Sequence, residues 1–135
     1  MKTKPTELKR DTLYIGLYTN GKIFRIGTFS LLLESNGKHI YEFDIDEERY
    51  NEAMKMTDRI IPGFNPKNGW KQRHDKEMQF VYERTFHPQR QDMEDILKPY
   101  SMTPKEYNKW NFLKKSKGKC YQDDWRLTDV FEETY

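Results

Sequence analysis

The stretch LYIGLYTNGKIFRIGTFSLLLESNGKHIYEFDI, residues 13–45, decides the architecture. Its Asn20-Gly21 dipeptide suits the two positive φ angles of a tight hairpin turn, and it is flanked by runs rich in branched and aromatic residues. A second Asn-Gly, at 36 and 37, precedes a segment in which Ile40, Glu42 and Asp44 alternate with Tyr41, Phe43 and Ile45. That period of two is the signature of a strand. The stretch therefore predicts a three-stranded antiparallel meander. Gly16 and Gly27 fall inside its strands, where glycine marks a bulge or a close backbone approach more readily than a ligand.

Downstream, Asp44 or Asp46 opens a helix through EERYNEAMKM, because aspartate accepts from free first-turn amides and the glutamates favour the helix dipole. Tyr50, Ala53 and Met54 form its inward stripe. A long loop follows at 57–78, punctuated by Pro62, Gly63, Pro66 and Gly69, and MQFVYE then reads as a fourth strand. Pro88 begins a helix containing Met93, Ile96 and Leu97. Thr103, Pro104 and Glu106 form a capping box for another helix, with Tyr107, Trp110 and Leu113 on one face and Gly118 as its stop. CYQDDWRL closes as an edge strand, whose unpaired edge offers a symmetric dimer contact. The fold class is α+β, an antiparallel β-meander packed with about three short helices. A basic arm at 1–11 precedes a single domain at 12–135.

Composition bounds what this domain does. The chain of 135 residues is 35% apolar, yet 15% aromatic, which places a small aromatic core beneath a charged surface. Mean hydropathy is -1.09. With 24 basic and 22 acidic side chains the net charge is +2, so no global field draws the protein to nucleic acid or anionic membrane. No run of about 18 apolar residues exists to span a bilayer. Cys120 stands alone, and MKTKPTELKR lacks the apolar stretch of a secretion signal. These features imply a cytoplasmic protein.

No catalytic set is legible. Neither a G-x-x-x-x-G-K-[ST] nor a G-x-G-x-x-G run offers amides to phosphates, so no nucleotide cofactor is expected. His39, His74 and His87 are too dispersed to draw a metal site, and Asp123 and Asp124 point to opposite faces of a strand. Acid-base chemistry needs His87, Arg90 and Asp123 or Asp124 to converge. The better candidates are for binding. Trp70 lies in KNGWKQRHDK with no evident core face; it either folds back or protrudes as a partner anchor. Lys67, Lys71, Arg73, His74 and Lys76 around it suit either a protein partner or phosphates, with Trp70 stacking on a base.

LYIGLYTNGKIFRIGT followed by HIYEFDID, a helical segment with arginine, a second helix and a glycine near a final strand resembles the N-terminal subdomain of the HipA-type toxin kinases. It also resembles the standalone form of that subdomain, the HipS-type antitoxin of split systems. RTFHPQRQDMEDIL with LKKSKGKCYQDDWRL is similar to small bacterial proteins of the same neighbourhood. The resemblance implies a β-rich subdomain that docks on a kinase core and contributes no phosphoryl-transfer residue. The protein would then be a non-enzymatic regulator of a separately encoded HipA-like kinase. Two departures stand out: FVYERTFHPQR replaces a Phe-rich run ending in Leu-Leu-Pro-Glu, and the loop around Trp70 has no counterpart. A nucleic-acid-binding accessory domain and a phage-type inhibitor of a host enzyme are the alternatives.

Overall fold

A computed structural model describes residues 7–74, 78–87 and 89–129. Strands β1 (Glu7–Thr19), β2 (Lys22–Glu34) and β3 (His39–Ile45) form the expected antiparallel meander. Asn20 and Gly21 take φ of 52° and 76°, so Thr19 pairs directly with Lys22. β4 (Lys71–His74) adds to β3, and β5 (Trp125–Thr128) adds to β1, giving one sheet in the order β4-β3-β2-β1-β5. β1 reaches back to Glu7, into the stretch expected as an arm; residues 1–6 lie outside those described.

The register of β1 on β2 slips between Ile15 and Gly16, leaving Ile26 as the extra residue of a bulge. At Gly27 the partner strand comes so close that any Cβ would overlap the Asp44 carbonyl and lie 2.8 Å from the Ile45 Cα. Close backbone approach is thus the reason for this glycine.

Helix α1 (Glu47–Ala53) starts as expected, with Asp46 accepting from the Arg49 amide at 3.0 Å and with Tyr50 and Ala53 buried. The long loop at 57–78 is more structured than its prolines and glycines suggest. It contains a 3-10 turn at Pro66–Asn68 and the strand β4. The expected strand at MQFVYE is instead helix α2 (Gln79–Tyr82). Met78, Phe80, Val81 and Arg84 are buried while Gln79 and Tyr82 are exposed, a spacing that a helix satisfies and alternation does not.

Pro88 lies outside the described residues, and helix α3 spans only Met93–Leu97. The bonds between Thr103 and Glu106 form, with Glu106 Oε1 accepting from the Thr103 amide at 3.1 Å and its hydroxyl at 2.9 Å. They close a turn, not a helix. Helix α4 (Lys109–Ser116) starts later, where Asn108 Oδ1 accepts from the Asn111 amide at 2.7 Å. Lys117 and Gly118 end it with positive φ angles.

The core lies between one sheet face and these helices. Phe29 is its centre, stacked on Tyr41 at 5.6 Å between ring centroids and tilted against Phe43, Phe80 and Trp110 at 4.9, 5.2 and 6.0 Å. Met93, Leu97, Met102 and Phe112 form a smaller second cluster. Among the described helices none is long and apolar enough to cross a membrane.

On the other sheet face Glu42 is 1% exposed and accepts from Arg10 at 2.9 Å and Arg73 at 2.6 Å. Burial pushes its carboxyl up, but the two arginines together outweigh this and hold it below the ordinary glutamate value of 4.5. A depressed folded pKa contributes stability above the unfolded value, which is lost as pH falls through the folded one. The stability gap between wild type and Glu42→Gln in urea denaturation is therefore expected to be widest near neutrality and to shrink on acidification below about pH 4.5. Gly27→Ala is expected to cost roughly 2–4 kcal/mol in the same assay, because the clash is with backbone.

Candidate functional site

Sheet register and the position of α4 create a concavity. Lys9 pairs with Leu33 and Leu33 with His39; Asp11 pairs with Leu31 and Leu31 with Tyr41. These two cross-strand rows lie at the end of the sheet beside α4. The resulting groove encloses about 1170 Å³ and is walled on its far side by Tyr82, His87, Tyr107 and Lys109. Trp110 and Tyr41 are buried at its floor, whereas Tyr82 is 59% exposed.

Asp11 ties the strand to the helix. Its carboxylate accepts from Trp110 Nε1 at 2.6 Å and pairs with Lys114 Nζ at 2.5 Å. Burial raises the Asp11 carboxyl, but those bonds and the lysine charge together hold it below the ordinary aspartate value. Lys109 Nζ lies 4.8 Å from the centroid of the Tyr82 ring, a cation–π contact. Tyr107 stacks on Phe86 at 4.5 Å and donates its hydroxyl to the Phe86 carbonyl at 2.5 Å. Among the described residues the lining carries three lysines, Lys9, Lys109 and Lys114, and one carboxylate, Asp11.

The residues expected around Trp70 do not form one surface. Trp70 is half-buried, packing 5.3 Å from Tyr50 and 6.0 Å from Phe64 between ring centroids, and its carbonyl accepts from the Ile45 amide. It has folded back onto the core. Lys67 is exposed on the 3-10 turn. Strand alternation sends Lys71 and Arg73 to the face of Glu42, and Gln72 and His74 to the core face. His74 packs edge-on against Phe43, with its Nε2 buried and unbonded. Lys76 lies outside the described residues.

The candidate acid-base set is likewise dispersed in its bonding. His87 lines the groove, Arg90 pairs with Asp92 at 2.6 Å, and Asp123 pairs with Arg84.

Glu83, Cys120 and Asp123 bring potential ligand atoms within 4.8 Å of one another. The chemistry between them is an ion pair instead. Arg84, with no side-chain exposure, donates to Asp123, lies 4.0 Å over the Phe80 ring and reaches the Trp125 carbonyl at 3.4 Å. Its Nε is buried and unbonded. Burial pulls the guanidinium pKa down, opposed by the Asp123 charge. Asp123 therefore already has its cation.

A third feature is the end of the sheet where β5 begins. Trp125 Nε1 donates to the Arg59 carbonyl at 3.1 Å, and the Tyr18 amide donates to the Asp124 carbonyl at 2.8 Å. These bonds draw three segments together, and each carries exposed apolar side chains: Tyr18, then Met56 and Ile60 (66% exposed), then the fully exposed Tyr121. The outer edge of β5 is not open for strand addition. The Leu127 amide donates to the Lys117 carbonyl at 2.8 Å, and Arg126 donates to the Trp125 carbonyl at 3.0 Å.

Comparison with protein-family models, curated proteins and solved structures finds no match for the chain.

The groove is not legible in local sequence, because Asp11 falls in the basic segment 1–11 and Trp110 shares an apolar helical face with Tyr107 and Leu113. The two-residue spacing of Lys9, Asp11 and Leu13 signals only that the first strand starts before residue 12, and not that α4 lies beside it. Removing one partner of the buried pair is expected to be costly: Arg84→Met should lose about 3–5 kcal/mol in urea denaturation. Cys120→Ser should stay within about 1 kcal/mol, since the thiol's hydrogen bond is a weak one.

Proposed function

We propose that this protein is a non-enzymatic interaction module that docks on a HipA-type kinase and regulates it, in the manner of an antitoxin. The observation carrying this reading is that the segments hydrogen-bonded to the start of β5, through the Tyr18 amide and the Arg59 carbonyl, carry the exposed apolar side chains Tyr18, Met56 and Ile60, with Tyr121 exposed just before β5. Exposed apolar and aromatic side chains drawn from separate segments, on a charged chain, mark a protein contact more than a folding need. Support also comes from the resemblance carried by residues 13–28 and 39–46, which lie in the meander, at its first turn and at the start of α1.

The docking surface in this reading is the β5 end and not the Trp70 loop, because Trp70 is half-buried against Tyr50 and Phe64. Lys71 and Arg73 lie on β4, at the opposite edge of the sheet from β5, and take no part in that surface. Co-expressed with a HipA-type kinase, the protein is expected to co-elute with it and lower its autophosphorylation. Ile60→Asp and Tyr121→Asp should each weaken co-elution about tenfold or more without loss of the folded state, as central interface side chains are worth about 2 kcal/mol or above. Absence of both co-elution and any change in autophosphorylation would overturn the reading.

A further inference from the structure

We propose that the groove beside α4 binds an uncharged, planar heteroaromatic compound of the nucleobase or nucleoside class, stacked on Tyr82 and held at its edge by Asn108 and Asn111. The inference is independent of the kinase reading, which concerns the opposite end of β1, and it draws on no side-chain charge.

Three observations carry it. First, the groove encloses about 1170 Å³, roughly the upper end of the range that holds one organic ligand. Second, its lining is rich in rings. Tyr41 and Trp110 are buried at the floor, and Tyr82, Tyr107, His39 and His87 join them, against the aliphatic Leu31 and Leu33. Tyr82 is 59% exposed, so it is the ring on which a flat ligand can lie. Third, the first turn of α4 leaves one amide donor and one acceptor unspent. Asn108 Oδ1 accepts from the Asn111 backbone amide at 2.7 Å, and Asn111 Nδ2 donates to the Glu106 carbonyl at 3.1 Å. Those bonds fix which end of each side-chain amide is oxygen and which is nitrogen. Among the described residues no group pairs with the remaining Asn108 Nδ2 or Asn111 Oδ1, and both asparagines line the groove.

A donor and an acceptor side by side are what the edge of a nucleobase requires. The bases present an acceptor next to an N–H, which is why one carboxamide can read adenine through two bonds. An inorganic anion would leave the rings and the Asn111 oxygen unused. An extended peptide offers an N–H and a C=O, yet its backbone brings no ring to Tyr82, so the rings decide between the two.

The test is isothermal titration of the whole protein with adenosine, guanosine, cytidine and uridine, with the asparagine side-chain amides followed by NMR. At least one nucleoside is expected to bind and to shift those amides, with an affinity that added salt leaves unchanged because no ionic contact is made. Tyr82→Ala should weaken binding by about tenfold, within the range of one base stacked on an aromatic ring, and Tyr82→Phe should restore it. Asn108→Asp keeps the oxygen that caps α4 but replaces the Nδ2 donor with an acceptor. It should weaken binding by about tenfold, within the range of one good polar contact to a base edge, while the helix is retained, aspartate being as good a cap as asparagine. Tyr82 and Asn108 are exposed, so the variants are expected to keep the wild-type circular dichroism and urea midpoint. Three outcomes each overturn the proposal: neither heat nor amide shift with any nucleoside, binding that survives both Tyr82→Ala and Asn108→Asp, or binding of nucleoside monophosphates with the nucleosides silent. The last would assign the groove to a phosphate.

Discussion

The buried guanidinium of Arg84 is the interaction on which the remaining arrangement depends. It lies against the Phe80 ring one helical turn back, pairs with Asp123 and reaches the Trp125 carbonyl. One side chain thereby fixes α2 to the entrance of β5. A charge without solvent is tolerated only when its partners are in place, so Arg84 also dictates that the Asp123 turn be built one way. Lysine could not replace it, because a single ammonium cannot face carboxylate, backbone carbonyls and ring together. With α2 held, Tyr82 at its end becomes one wall of the groove.

The parts of the fold legible in the sequence are those governed by local chemistry. Asn20-Gly21 sets a turn through φ alone, alternation from Ile40 to Ile45 sets a strand, and Asp46 caps a helix through a bond three residues away. What was illegible rests on contacts remote in sequence. Phe80 and Val81 look like strand residues, since both favour a pleated surface, yet they form a helix because Phe29 and Arg84 require it. Thr103 and Glu106 formed their local bonds, but Tyr107 was drawn to Phe86, and the helix had to wait for Asn108.

The same division explains the candidate site. Trp70, flanked by polar residues, looked like an anchor only while Tyr50 and Phe64 were unplaced; together the three make a cluster that covers the edge of the core. The groove was hidden for the reverse reason. Lys9, Lys109 and Tyr82 come from three distant segments, and no spacing along the chain announces their meeting. Two features result: exposed apolar side chains on the segments that meet at the start of β5, and a groove lined by lysines and rings beside α4.

The pairing of β1 with β5 joins residues near the two extremes of the described chain, such as Ile15 and Leu127. The meander closes early through two tight turns, but one edge of its first strand stays bare until residues 125–128 arrive. Non-local pairing of this kind slows folding, because loop-closure entropy is spent before the contact returns it. During that interval the hydrogen-bonding groups of Tyr14 and Gly16 form a template for any passing strand. The late strand is thus a molecular latch: it carries no chemistry, yet its arrival ends the period in which the protein is most prone to pair with itself.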